Sequence, residues 1–234
     1  MARISRSLIL ADNCLFHVTW QCHNKSWLLE KTWAKRFYYN LLLRFKDTYK
    51  IAFYSYIIMD NHIHLSGKLE SLDQFSAFFR VVNSIFAKEI NKQKGRCGQV
   101  IRDRFKSPCL QTETDLIREM IYHDLNEVRA GKSKHPQKNE LSSYAHYAYG
   151  VHDPLLTEPE IYLRLGDSPP ERQIAYRGMV EEILLAAPQK KDRRYTQNLY
   201  IGDPQWVLER YQRLKDCRIQ LEKLRRSSKH PPPS

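Results

Sequence analysis

The stretch Tyr56-Ile57-Ile58-Met59-Asp60-Asn61-His62-Ile63-His64-Leu65 decides the fold. An apolar run rich in β-formers reaches a two-residue turn, Asp60-Asn61, and resumes as a second run. It therefore reads as a hairpin of strands over 51–59 and 62–69. Alternate side chains of a strand share a face, so the imidazoles of His62 and His64 point one way and Ile63 the other. Two neutral histidines on one face supply only part of a divalent-metal site, and a third ligand has to come from elsewhere in the chain.

Upstream, 14–22 alternates as a first strand, with Cys14, Phe16, Val18, Trp20 and Cys22 on one face. That alternation is preferred to a zinc cluster of Cys14, His17, Cys22 and His23, whose spacing is unlike finger patterns. Between strand and hairpin, Trp33, Phe37, Leu41 and Phe45 recur at helical spacing and predict an amphipathic helix over 31–46. Downstream, Ser71 is placed to cap a helix reaching about Gly95, with a stripe of Phe75, Phe78, Phe79, Val82, Ile85 and Phe86. A basic segment, 102–112, leads into a fourth strand near 107–111, and Thr114 opens a helix to about Val128 that ends at Ala130-Gly131. The order β, α, β, β, α, β, α predicts an α+β fold, a ferredoxin-like antiparallel sheet with helices packed on it. The histidines fall on a central strand.

Three units are expected: a catalytic domain over 1–150, a helical basic extension over 151–226, and a disordered tail over 227–234. Within them, 131–139 reads as a polar linker, 141–150 as an aromatic segment packed on the core, and 170–185 and 204–226 as helical. The helix over 204–226 is expected to pack through Trp206, Val207, Tyr211, Leu214 and Leu221.

Charge narrows the partner. The chain has 38 Lys and Arg against 26 Asp and Glu, a net +12, and a surplus of this size points to a polyanion such as nucleic acid. Residues 190–234 hold twelve basic and five acidic residues. The five scattered cysteines suit reduced thiols, and no apolar run of about 18 residues suggests a membrane span. The run 8–11 is too short for a signal-peptide core, so the expected compartment is the cytoplasm.

In the helix over 114–128, Tyr122 and Asn126 stand four residues apart, on one face and about a turn from each other. A phenol is a competent nucleophile toward a phosphodiester, and an amide oxygen is a hard ligand for Mg²⁺ or Mn²⁺. On residue type alone Asn126, Asp124 and Glu119 are all eligible as the third ligand.

Here the chain resembles the HUH single-tyrosine transposases, the IS200-like and REP-associated tyrosine transposase branch. The resemblance covers 3–147 and is carried by five segments in order. These are Phe16-His17-Val18-Thr19-Trp20-Gln21-Cys22-His23, Met59-Asp60-Asn61-His62-Ile63-His64-Leu65, Asp103-Arg104-Phe105-Lys106-Ser107, Tyr122 through Gly131, and Leu141-Ser142-Ser143-Tyr144. It implies that His62, His64 and Asn126 hold Mg²⁺ or Mn²⁺ and that Tyr122 attacks DNA. The implied reaction is cleavage and rejoining of single-stranded, hairpin-bearing DNA through a 5′-phosphotyrosine intermediate. The family commonly has proline where Asp60 and Glu127 stand here. A different class of function is a DNA-binding protein or repressor that keeps the fold without the chemistry. Arg102, Arg104, Lys106, Lys190, Lys191, Arg193 and Arg194 are the expected DNA contacts. A monomer is favoured over a homodimer because the long basic extension resembles the REP-associated branch.

Overall fold

The computed structural model describes residues 4–186 and 191–229. The expected order is observed: β1 (Leu15–Gln21), α1 (Thr32–Lys46), β2 (Ile51–Ile58), β3 (His62–Leu69), α2 (Leu72–Gln93), β4 (Cys109–Leu110) and α3 (Glu113–Asp124). The strands lie in the order β2-β3-β1-β4 with antiparallel neighbours, the ferredoxin-like arrangement. The C-terminal half continues with α4 (Asn126–Arg129), α5 (Tyr144–Tyr149), α6 (Glu160–Leu163), α7 (Pro169–Ala186), α8 (Arg194–Gln197), β5 (Tyr200–Ile201) and α9 (Pro204–Lys229). No described helix is long and apolar enough to cross a membrane.

Alternation gives the sheet two faces of opposite chemistry. On one, Phe16, Val18 and Trp20 of β1, Phe53 of β2, and Ile63 and Leu65 of β3 meet Phe75, Phe78, Phe79 and Phe86 of α2 in a dry core. The rings interlock at centroid distances such as 4.8 Å for Phe16–Phe75 and 5.7 Å for Phe53–Phe78. The buried indole of Trp20 donates to the Tyr38 hydroxyl at 2.9 Å, and that hydroxyl donates to Asn83 at 3.0 Å, so neither polar group is orphaned. On the other face, His17, Thr19, Ser55, His64 and Ser66 lie buried.

Several expectations shift. The buried stripe of α1 is Ala34, Tyr38, Leu41 and Leu42, with Trp33 left 40% exposed. The helix packs on β2 and α2 about one residue round from the stripe its largest side chains suggest. Ser71 stands at the N-cap of α2 without a side-chain cap bond; the Leu72 amide donates instead to Asp12 at 2.8 Å. Helix α3 is capped by Thr112, in a reciprocal capping box with Asp115. The long helix expected over 114–128 is broken at Leu125, with φ −82° and ψ 3°, so Tyr122 lies in α3 and Asn126 opens α4.

The extension is woven into the first 150 residues. β5, which no periodicity announces, pairs parallel to β4. Tyr176 of α7 donates to the buried Asp124 carboxylate of α3 at 2.7 Å. Tyr144 and Tyr147 of the aromatic segment are buried with Tyr162 and Tyr176 in a second core. In α9, Leu214 is buried and Trp206 and Val207 pack on the first core, whereas Leu221 is exposed. That helix runs to Lys229, three residues into the segment expected to be disordered; 230–234 lie outside the described residues.

Candidate active site

The polar face of the sheet opens at one end into a cavity of about 490 Å³. His62, His64, Tyr122 and Asn126 all line it, together with Arg102, Arg104, Lys106, Arg129 and Lys191. The candidate nucleophile, the three candidate ligands and four of the expected DNA contacts thus share one space. Arg193 and Arg194 lie outside its lining: Arg193 is exposed, and Arg194 grips Asp192 through contacts of 2.7 to 3.2 Å. Lys190 falls outside the described residues.

Both imidazoles have one ring nitrogen engaged by the protein. Nδ1 of His62 is 2.7 Å from Oδ1 of Asn61, and Nδ1 of His64 is 2.9 Å from Nε2 of His17. In each ring the protein engages Nδ1, leaving Nε2 as the nitrogen outside that contact. Burial, aided by Lys191 and Lys132, lowers the pKa of His62 to about 4, and burial with neighbouring His17 holds His64 well below its ordinary value. Both are neutral, the form that binds metal. Asn126 donates through Nδ2 to the Tyr122 carbonyl at 3.3 Å, which assigns its Oδ1 the free acceptor role. Two nitrogens and one amide oxygen at the edge of a solvent-filled cavity suit a divalent cation with open positions.

Tyr122 is held on three sides. The Arg129 guanidinium stacks 3.6 Å from its ring centroid and donates to its carbonyl. Tyr195 lies over the ring with centroids 4.2 Å apart, and the Tyr122 hydroxyl donates to the Asp192 carbonyl at 3.4 Å. The residue is only 8% exposed, and burial raises its pKa against the opposing pull of Arg129. Its ring is 6.3 Å from that of His64, centroid to centroid.

Behind the cavity lies a cluster that joins His64 and Glu119, eligible as a ligand on residue type, to His17 and His123, which sequence reasoning did not assign to the site. His17, His64 and His123 present ligand atoms within 4.8 Å of one another, all buried. Glu119 places Oε1 2.8 Å from Nδ1 of His17 and 3.6 Å from Nε2 of His123, and the Ser55 hydroxyl is 2.6 Å from Nδ1 of His123. Burial pushes the Glu119 carboxyl up to about 7 and His17 and His123 down to about 3 and about 4. The signal for His17 was its strand parity, opposite to Phe16 and Val18. The alternative zinc reading dissolves here, because Cys22 belongs to the apolar core while His17 faces α3. Asp124, also eligible on residue type, is occupied by Tyr176 and Ser143.

Asp60 and Glu127, the two acids where the resemblance implies proline, both interact with lysines. Asp60 pairs with Lys35 at 2.7 Å and also with Lys132. Burial opposes its ionisation, but these lysines outweigh it and hold its carboxyl below the usual range. Glu127 feels the same two lysines, although burial leaves its own carboxyl raised. The hairpin tip is thereby tied to α1 and to the loop after α4.

A buried histidine face therefore opens onto a cationic cavity that also contains a tyrosine. Residues 11–106 match the family model described as IS200-like transposase. A solved REP-associated tyrosine transposase, bound to a REP hairpin, superposes with a TM-score of 0.53 at 17% identity, covering 68% of this chain and 93% of that one. No curated protein sequence matches. Over residues 11–106 the chain is thus similar to IS200-like transposases, and its fold is that of a tyrosine transposase. The matched stretch contains His62 and His64 but stops short of Tyr122 and Asn126.

Proposed function

We propose that this protein is a transposase that cleaves and rejoins single-stranded, hairpin-bearing DNA through a covalent bond to Tyr122. The observation that carries the reading is the convergence of Tyr122, His62, His64 and Asn126 in one cavity walled by Arg102, Arg104, Lys106 and Lys191. The REP hairpin held by the structural neighbour supports a hairpin as the partner.

His62, His64 and Asn126 would hold Mg²⁺ or Mn²⁺, which supplies Lewis-acid polarisation of the scissile phosphate. The cavity cations bind the flanking phosphates and fix the strand. The Tyr122 oxygen then attacks phosphorus, the bond to the 3′ oxygen breaks, and that oxygen takes a proton and leaves as a hydroxyl. The phenolic proton is lost as the new ester forms. A 3′-hydroxyl later attacks the phosphotyrosine, restoring the diester and the phenol, so ATP is not required. Before attack, the Tyr122 hydroxyl has to leave the Asp192 carbonyl.

Tyrosine and histidines meet within one chain, which favours action as a monomer. The contacts of Tyr176 with Asp124 and of Tyr195 with Tyr122 support treating 151–229 as part of the working domain. The same covered tyrosine favours a second reading, a DNA-binding protein that does no chemistry. Incubation with a labelled hairpin from the gene's own flanks and Mn²⁺, followed by denaturing electrophoresis, separates the two. A protein–DNA adduct that vanishes in Tyr122→Phe is expected. An adduct undiminished in that variant, or hairpin binding with no adduct, defeats the proposal.

A further inference from the structure

The carboxylate of Glu119 is completely buried, as are His17 and His123. A buried charge is costly unless it is paired and hydrogen-bonded. Among the described residues, His17 Nδ1, both Glu119 oxygens and His123 Nε2 make no hydrogen bond of good geometry, and only N···O approaches of 2.8 and 3.6 Å link the two rings to the carboxylate. Nothing in the apolar packing of α3 calls for a carboxylate here, since Leu116, Ile117 and Met120 on the same helix fill the second core.

The contacts instead run in one direction, toward the cavity. Glu119 Oε1 lies 2.8 Å from His17 Nδ1, and His17 Nε2 lies 2.9 Å from His64 Nδ1. An ionised carboxylate has no proton and can only accept. At 2.8 Å two facing lone pairs would repel, so His17 carries its proton on Nδ1 and presents a lone pair at Nε2. His64 must then carry its own proton on Nδ1, which leaves the lone pair of Nε2 directed away from the relay. The register explains the reach: Thr19 sits opposite His64 and His17 opposite Ser66, so the two rings are diagonal neighbours on one face. His123 completes the arrangement, with Nδ1 against Ser55 and Nε2 toward the same carboxylate.

We infer that Glu119, acting through His17, is a positioning residue that sets the tautomer and orientation of His64 so that its Nε2 is the metal-binding atom. This rests on the proposed role of His62 and His64, and extends it to His17 and Glu119 behind them. Outer partners of metal-binding histidines commonly tune affinity by about 10–100-fold.

Two measurements test it. Long-range ¹H–¹⁵N spectra of the metal-free wild-type protein, taken at about pH 8 where a carboxyl titrating near neutrality is ionised, should show His17 and His64 both protonated on Nδ1. A His64 protonated on Nε2 overturns the proposal. Calorimetric titration with Mn²⁺ should show about 10–100-fold weaker binding in Glu119→Gln, with the urea midpoint of that variant recorded alongside. Wild-type affinity in a folded Glu119→Gln overturns it too. So does a metal ion retained in His62→Ala but lost in His123→Ala, which would make the buried cluster itself the metal site. If the wild type binds no Mn²⁺, or binding survives both His62→Ala and His64→Ala, the site reading fails on its own account. The relay is then decided by the tautomer spectra, as it is if Glu119→Gln does not fold.

Discussion

The two faces of the central sheet are both largely buried and chemically opposite. Phe16 and His17 are adjacent on β1, both fully buried, yet one packs into a phenylalanine core and the other into a histidine–glutamate cluster. On β3, Ile63 and His64 repeat the division. Burial therefore does not distinguish structural from functional residues in this protein. The distinction lies in what burial does to each group: it gains free energy for Phe16, but for His17, His64 and Glu119 it shifts protonation equilibria and stays tolerable only through mutual contacts.

If this division is real, each face should fail in its own way when altered. The largest effect is expected from His62→Ala at the cavity rim, which should reduce hairpin cleavage by about 10³-fold, several kcal/mol of transition-state stabilisation. Single-turnover cleavage read against the urea midpoint checks this, and the midpoint should hardly move. A variant that unfolds instead would erase the comparison. Phe79→Ala on the opposite face should lose about 3–5 kcal/mol of stability through the cavity it leaves. Cleavage per folded molecule should be retained; loss of cleavage in the folded fraction would show that the dry core also shapes the site.

The smallest effect, and the one that sharpens the comparison most, is the pH dependence of stability. Burial lowers His17 to about 3 and His62 and His123 to about 4 in the folded protein and holds His64 well below its ordinary value, four groups against the two raised carboxyls below, whereas unfolded histidine titrates near 6.5. The unfolded chain therefore binds more protons below 6.5, and the contribution of these neutral rings is lost as pH falls from there through 4 to 3. Glu119 and Asp124, both raised to about 7, act in the opposite sense: they stabilise at low pH, and that contribution is lost as pH rises through 7. Urea midpoints should fall below about pH 6.5, and more steeply in Glu119→Gln, which lacks one opposing carboxyl. Phe79→Ala should lower the whole curve without changing its shape, because its face carries no comparable titrating cluster. Identical shapes for the wild type and Glu119→Gln would mean that the carboxyl is not coupled to folding.

Much of this was legible in the chain. Period-two and period-3.6 patterns located the first four strands and their helices, because half-buried elements must repeat with their own geometry. The parity of His62 and His64 around Ile63 predicted one shared face, and the four-residue spacing of Tyr122 and Asn126 predicted neighbours across a turn; both pairs line the cavity. The basic segment 102–106 likewise reaches it. What stayed hidden depends on long-range pairing. Strand register, which sets His17 beside His64, leaves no local mark, and Glu119 becomes a partner only once α3 lies across the sheet. The break at Leu125 has no glycine or proline to announce it. The covering of Tyr122 by 192–195 joins residues about seventy positions apart.

Sequence alone thus determined which side chains alternate, which helix carries the tyrosine, and that the chain is basic enough to meet a polyanion. Local periodicity and charge are properties of neighbouring residues and survive without a fold. Tertiary structure decided which histidine backs which, which carboxylate is trapped behind them, and that the extension closes over the tyrosine. Hydrogen-bond direction and burial exist only between surfaces, and those surfaces meet only when the sheet has paired and α3 has docked upon it.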